Sequence, residues 1–141
     1  MGEYSTVSPE ETEALALRLA EKLQGGEVIA FSGGLGSGKT TFCKGLARGL
    51  GVREVVSSPT FAIANRYDGR IPFAHFDAYR IAGADDLEAA GFYDFLDEGA
   101  VVAVEWSENV APWLPRPLIC VDIIALQGDE RKICIRGAKG L

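Results

Sequence analysis

The segment GGLGSGKTT at residues 33–41 constrains the fold more than any other part of this sequence. It matches the pattern G-x-x-x-x-G-K-[ST] from Gly33 to Thr40, follows an apolar run that ends at Phe31, and precedes a segment with helical spacing. Glycines allow the backbone to turn so that successive N–H groups face phosphate oxygens, and the N-terminus of the next helix adds partial positive charge. Between a predicted strand and a predicted helix, this pattern predicts a nucleotide phosphate loop.

Two side chains of this loop have specific expected contacts. Lys39 is expected to reach the β and γ phosphates, and Thr40 to offer its hydroxyl to Mg²⁺. The other residues expected to bind the nucleotide here are Gly33, Gly34, Leu35, Gly36, Ser37, Gly38 and Thr41. A strand-to-helix turn without a ligand is the alternative, but such a turn does not need the lysine and the threonine.

Two acids end apolar runs and are candidates for the chemistry of the site. Glu105 ends the run AVVAVE, which predicts a carboxylate at the carboxyl edge of the sheet, where it could be the second magnesium ligand. Asp77, in HFDAYR, could orient water or help to hold the metal. The alternatives are a solvent-facing acid for Glu105 and a turn or cap residue for Asp77. We interpret His75 as a packing or hydrogen-bonding residue, because metal or triad partners at matching spacing are missing.

The order of apolar segments predicts an α/β protein. We expect a P-loop NTPase-like three-layer fold with a mainly parallel sheet extended by antiparallel strands or hairpins. The predicted elements are a helix from Pro9 capped by Ser8 with Glu11 closing a capping box, a strand at Val28–Phe31, a helix at Lys39–Leu50, a hairpin that turns at Asp68-Gly69, short helices at 85–90 and 92–96, a strand at 100–106, and a hairpin around 127–130 that extends the sheet antiparallel.

Length and composition limit the organisation and the location of the chain. With 141 residues, 48% of them hydrophobic, we expect a single domain over 1–141, with a tail at 137–141 that could be flexible. No apolar stretch approaches the roughly 20 residues that cross a bilayer, and the first residues are acidic and polar, so we expect a cytoplasmic protein. Cys43, Cys120 and Cys134 have neither zinc nor redox spacing and are expected to be reduced packing residues.

The charge distribution limits the partners. The formal net charge is −6, and residues 81–115 contain eight acids and neither Lys nor Arg. Such a surface repels a phosphate backbone, so direct binding of nucleic acid is not expected. The segment is either a solvated acidic face or a docking surface for a basic protein.

Four blocks of sequence carry a resemblance to a known family. They are GGLGSGKTTF, SSPTF, HFDAYRI with the following DDLEAAGFYDFL, and VVAVEW. In this order and spacing they resemble the bacterial TsaE (YjeE) proteins over nearly the whole chain. The resemblance implies a magnesium-dependent ATPase, weak alone, that supports the TsaB and TsaD proteins when they transfer a threonylcarbamoyl group to adenosine 37 of tRNAs reading ANN codons. It implies contact with tRNA only through those partners.

The resemblance also implies roles for particular residues. Lys39 matches the phosphate lysine, Thr40 and Glu105 match the metal ligands, and Asp77 matches the acid implicated in hydrolysis. Ser57–Phe61, which contains Thr60, matches a switch-like segment near the γ-phosphate.

Some positions are matched loosely or depart from the family pattern. Glu10 and Thr12 lie where the amino terminus of the family approaches the base. Gly34 stands where the family commonly has Asp, and Ser107 stands where it commonly has Pro, but neither departure removes a phosphate or metal ligand. Trp106 is either a partner contact or an aromatic wall of the crevice.

Three other classes of protein are alternatives to a TsaE-like ATPase. A small-molecule kinase shares the loop pattern but needs a basic lid, whereas the sequence after Arg80 is acidic up to Pro115. A GTPase needs an N/T-K-x-D segment to read guanine, and the sequence has none. A non-hydrolysing regulatory subunit that changes shape on binding nucleotide stays open.

Overall fold

The computed structural model describes residues 2–34, 36–56, 64–115 and 118–137. In these residues the strands are β1 (Gly2–Thr6), β2 (Val28–Ser32), β3 (Ala64–Tyr67), β4 (Phe73–Asp77), β5 (Val101–Glu105), β6 (Leu118–Ala125) and β7 (Arg131–Arg136). The α-helices are α1 (Pro9–Ala20), α2 (Lys39–Gly49), α3 (Ala84–Ala89) and α4 (Phe92–Asp97). Short 3₁₀ helices cover Ala78–Arg80, Ser107–Asn109 and Ala111–Trp113.

The strands form one sheet in the order β1-β7-β6-β2-β5-β4-β3. The central strands β6, β2, β5 and β4 are parallel, while β7, β1 and β3 are antiparallel to their neighbours. One apolar cluster joins α1 and α2 to one face of the sheet, and a second joins α3 and α4 to the other face. The predicted α/β class, with three layers and a mainly parallel sheet, is therefore confirmed.

The two strands beside the glycine loop are buried on both faces. Every residue of β5, and Val28–Phe31 of β2, is buried. Because helices cover both faces, these strands need apolar side chains on both sides and show no alternation. This burial fixes the two strand ends from which the site is built.

The start of α1 differs in one detail from the predicted capping box. Ser8 is the N-cap, and its hydroxyl accepts a hydrogen bond from the N–H of Glu11 at 3.1 Å, as predicted. The Glu11 carboxylate, however, accepts from the N–H of Val7 at 2.9 Å and not from that of Ser8. The pairing of β1 with β7 ends at Thr6, so the N–H of Val7 takes the side-chain acceptor.

The edges of the sheet differ from the prediction in three places. No strand was expected at the N-terminus, but β1 pairs with β7. The first hairpin does not turn tightly at Asp68-Gly69: residues 68–72 connect β3 to β4, because the N–H of Ile71 donates to the carbonyl of Leu50 and ties the turn to the end of α2. In the second hairpin, β6 runs parallel to its neighbour β2, and only β7 extends the sheet as an antiparallel strand.

The cysteines agree with the expectation of reduced packing residues. All three are free; Cys43 is buried, and Cys120 and Cys134 are half-buried. In the described part of the chain, no helix combines the length and apolar composition needed to cross a membrane.

Close packing of α1 on α2 depends on Gly45. A Cβ at Gly45 would lie 2.4 Å from the carbonyl oxygen of Glu13 and 2.7 Å from the Cβ of Ala16. We expect Gly45→Ala to lower the free energy of unfolding by about 1–3 kcal/mol, because overpacking outweighs the better helix propensity of alanine. Urea unfolding measures this change. Gly83→Ala is the control, since a Cβ there meets no atom within 4 Å; equal unfolding midpoints for the two variants would contradict the prediction.

Candidate functional site

The glycine loop leaves the carboxyl end of β2 and enters α2. Gly33 has φ 142°, and a Cβ there would lie 2.5 Å from the carbonyl oxygen of Ile123. Gly38, the N-cap of α2, has φ 111°. Only glycine adopts these conformations readily, so the first and last glycines of the pattern are needed to form the loop.

The side chain of Lys39 lies back along this loop. It is 7% exposed, and its Nζ donates to the carbonyl of Gly33 at 3.0 Å. The same Nζ lies 4.9 Å from the ring centroid of Trp106, within cation–π range. A buried ammonium group is therefore held beside the loop, with an aromatic wall on one side.

The turn that follows β5 places Trp106 against the loop. Among the described non-glycine residues, Trp106 alone has a positive φ, at 59°. The hydroxyl of the next residue, Ser107, is buried and donates to the carbonyl of Phe31 at 3.0 Å. This bond ties the turn to the end of β2, and a proline at 107 could not make it.

Glu105 and His75 form a buried pair next to this turn. The Nε2 of His75 lies 2.6 Å from the Oε2 of Glu105, and the two residues are 0% and 8% exposed. Burial by itself lowers the pKa of His75, but interactions with Cys43 and Glu105 outweigh it and raise the pKa to about 10. His75 is thus a hydrogen-bonding core residue, as interpreted from the sequence, and its partner is the carboxylate predicted to bind metal.

Asp77 lies opposite Glu105 at the ends of two paired strands. The register of β4 and β5 sets Asp77 beside Glu105. One oxygen of Asp77 accepts from the N–H of Tyr79 at 3.0 Å, so Asp77 also caps the 3₁₀ helix that follows. Asn109 donates to the carbonyl of Ala78 at 3.1 Å and holds that helix in place. The two predicted acids therefore share one edge of the sheet.

Of the two residues expected near the base, one is buried and the other is exposed. Thr12 is buried, and its hydroxyl lies 2.7 Å from that of Thr6. It lines a cavity of about 30 Å³ together with Gly38 and Thr41. Glu10 lies exposed in the first turn of α1. Leu35 and the segment that contains Thr60 lie outside the described residues.

The loop residues fit a phosphate group with magnesium. The hydroxyl of Ser37 is buried and has no hydrogen-bond partner among the described residues. A Cβ at Gly34 or at Gly36 would meet no atom within 4 Å, so the space beside the loop is open. No group of three or more His, Cys, Asp or Glu side chains in the described residues could hold a metal. Magnesium bound to nucleotide needs only one or two protein ligands, which Thr40 and Glu105 could supply.

Arg131 contacts the glycine loop although it lies far from it in the sequence. Its Nε donates to the carbonyl of Ser37 at 2.7 Å, although the two residues are 94 positions apart. Neither a motif nor a spacing marks this arginine, so only the fold reveals the contact.

A strand, a glycine loop and a helix at the carboxyl edge of a mainly parallel, three-layer sheet define this chain as a protein of P-loop NTPase-like fold. The model of the family described as "Threonylcarbamoyl adenosine biosynthesis protein TsaE" matches residues 6–133. The chain belongs to the TsaE family, which confirms the resemblance found in the sequence.

Relatives and a solved structure agree with this assignment. The chain is 40% identical over 131 residues to the tRNA threonylcarbamoyladenosine biosynthesis protein TsaE of Bacillus subtilis (strain 168), covering 92% of this chain and 82% of the relative. It is 34% identical to the protein of the same name from Treponema pallidum (strain Nichols), covering 91% and 95%. The crystal structure of YdiB from Bacillus subtilis superposes with a TM-score of 0.77 at 36% identity, covering 93% of this chain and 81% of that one.

Proposed function

We propose that this chain binds and hydrolyses Mg-ATP, slowly alone and faster with TsaB and TsaD, in support of threonylcarbamoylation of adenosine 37 in tRNAs reading ANN codons. The names of the relatives attach them to tRNA threonylcarbamoyladenosine biosynthesis. The observation that most supports binding of Mg-ATP is the buried ammonium group of Lys39. It is held at the glycine loop, beside the strand that ends in Glu105.

The chain's own groups have distinct roles in this proposal. The loop amides and the N-terminus of α2 bind the phosphates. The Nζ of Lys39 exchanges its bond to the carbonyl of Gly33 for contacts with phosphate oxygens. Thr40 and Glu105 hold magnesium, which neutralises phosphate charge when it is bound.

The acidic charge of the surface favours contact with protein partners over direct contact with tRNA. Residues 81–115 contain no Lys or Arg, and Asp85 and Asp94 in this range are exposed. Glu105 is buried, however, so the segment is not acidic surface throughout. Because an acidic face repels nucleic acid, tRNA is contacted through the partners.

The test is release of labelled inorganic phosphate from ATP, with and without TsaB and TsaD and with a panel of small acceptors. We expect phosphate release that is weak for the chain alone and faster with both partners. Turnover unaffected by the partners would contradict the partnership. A phosphorylated acceptor would indicate a kinase, and binding without any release would indicate a regulatory subunit.

Asp77→Asn is expected to separate binding from turnover. Asparagine can keep the cap on the N–H of Tyr79 but loses the charge that would orient the attacking water. We expect ATP affinity within about threefold of the native value and turnover lowered about 10- to 100-fold. Calorimetry and phosphate release measure the two quantities, with the exposed Asp94→Asn as the matched control. Equal losses of affinity and turnover would instead assign Asp77 to binding.

A further inference from the structure

We propose that Arg131 is a positioning residue that holds the phosphate loop in its anion-binding conformation. The proposal rests on the proposed function, since it assigns to Arg131 a part in binding the phosphates. Arg131 is the first residue of β7, which is paired with β6 on one side and with β1 on the other.

One guanidinium group joins the loop to the turn between β6 and β7. Its Nε donates to the carbonyl of Ser37 at 2.7 Å, and its Nη2 to the carbonyl of Gly36 at 3.3 Å. Its Nη1 donates to the carbonyls of Gly128 and Glu130 at 2.7 and 2.9 Å. These acceptors are all backbone carbonyls, so the side chain connects two stretches of main chain.

The two loop carbonyls determine which way their peptide groups face. In a trans peptide the C=O and the following N–H point in opposite directions. When the carbonyl of Ser37 faces Arg131, the N–H of Gly38 is turned away from the arginine. If that peptide rotated, a carbonyl dipole would take the place of an amide donor and would repel phosphate.

The loop needs such a restraint because of its glycines. Gly36 and Gly38 have φ values of 71° and 111°, and glycine leaves many other backbone states open. Ordering flexible backbone only when the ligand arrives costs affinity. A side chain that fixes two consecutive carbonyls beforehand lowers that cost.

The turn behind Arg131 is closed by two backbone hydrogen bonds. The N–H of Leu126 donates to the carbonyl of Glu130 at 2.9 Å, and the N–H of Glu130 donates to the carbonyl of Gln127 at 2.9 Å. Arginine suits this position because its planar fork carries five donors in fixed directions. A lysine would keep the charge but has a single nitrogen, which cannot reproduce the fork.

The experiment compares Arg131→Gln with the native chain in two measurements. The first is calorimetric binding of Mg-ATP and of inorganic tripolyphosphate, which has no base or ribose. We expect both dissociation constants to rise by a similar factor of about 10- to 100-fold, because charge-assisted hydrogen bonds that order the loop are lost. The second is hydrogen exchange of amides 36–38 without ligand, which we expect to become faster.

Two further variants serve as controls. Lys132→Gln removes a charge at the next position, where the Nζ pairs with Glu3 at 2.9 Å across to β1, and should bind both ligands as the native chain does. Arg131→Lys should give intermediate affinities, which separates the fork geometry from the charge.

Each contrary result has a definite meaning. Native affinity with native exchange in Arg131→Gln would overturn the proposal. A loss for Mg-ATP without a loss for tripolyphosphate would also overturn it, because Arg131 would then contact the nucleoside. If the native chain bound neither ligand, the proposed function would fail, while exchange of amides 36–38 would still decide whether Arg131 orders the loop.

Discussion

Lys39→Ala is expected to abolish ATP-dependent function, with Mg-ATP affinity lowered about 100-fold or more. The loss is large because a buried ammonium group paired with phosphate is removed, and truncating one partner of a buried charge pair costs about 2–5 kcal/mol or more. The native side chain is held in place before any nucleotide arrives, since its Nζ bonds to the carbonyl of Gly33 and lies over Trp106. Calorimetric titration with Mg-ATP, followed by phosphate release with TsaB and TsaD, measures the loss.

Two variants show whether the charge is responsible. Lys39→Met keeps an unbranched apolar stem against Trp106 and removes the ammonium group, so it should fail as Lys39→Ala does. Lys44→Ala removes an exposed lysine from the same helix and should bind as the native chain does. If Lys39→Met bound Mg-ATP with native affinity, packing and not charge would explain the role of Lys39.

Local sequence patterns predicted the central strands and the helix that follows the glycine loop. The edge strands of the sheet, in contrast, depend on contacts between residues that are distant in the sequence. The apolar runs of β2 and β5 and the spacing of α2 are local signals, and these elements were predicted within one or two residues. The inward-facing residues of β1 include Tyr4 and Thr6 and no aliphatic side chain, so this strand gave no apolar alternation. It is ordered by pairing with β7 at the far end of the chain.

The distinction between local patterns and contacts distant in sequence also applies to the candidate site. The loop pattern marked Lys39 as a candidate because its residues are contiguous, and the strand ends marked Asp77 and Glu105 as candidates. The bond between His75 and Glu105 joins residues 30 positions apart, and that between Arg131 and Ser37 joins residues 94 apart. Neither pair has a recurrent spacing, because the pairing order of the strands brings them together.

The buried pair of Glu105 and His75 determines how the metal role should be tested. Glu105→Ala would remove the acceptor 2.6 Å from a fully buried imidazole. A buried donor left without a partner costs about 1–3 kcal/mol and the cavity adds to this cost, so a loss of binding in that variant could come from unfolding. Glu105→Gln keeps the volume and an acceptor oxygen for His75 but removes the negative charge that magnesium requires. It therefore tests the charge without removing the hydrogen bond.

We expect Glu105→Gln to lose most of the gain in nucleotide affinity that magnesium provides. The loss should be at least about 10-fold, because even residues that only support a metal ligand contribute about 10- to 100-fold to metal affinity. Affinity for ATP measured with Mg²⁺ and with EDTA gives this gain for each variant, and urea unfolding shows whether Glu105→Gln is still folded. Glu108→Gln, an exposed acid three residues further on, is the matched control and should keep the native gain. An unchanged response to Mg²⁺ in a folded Glu105→Gln protein would remove Glu105 from the metal site and leave it as the structural partner of His75.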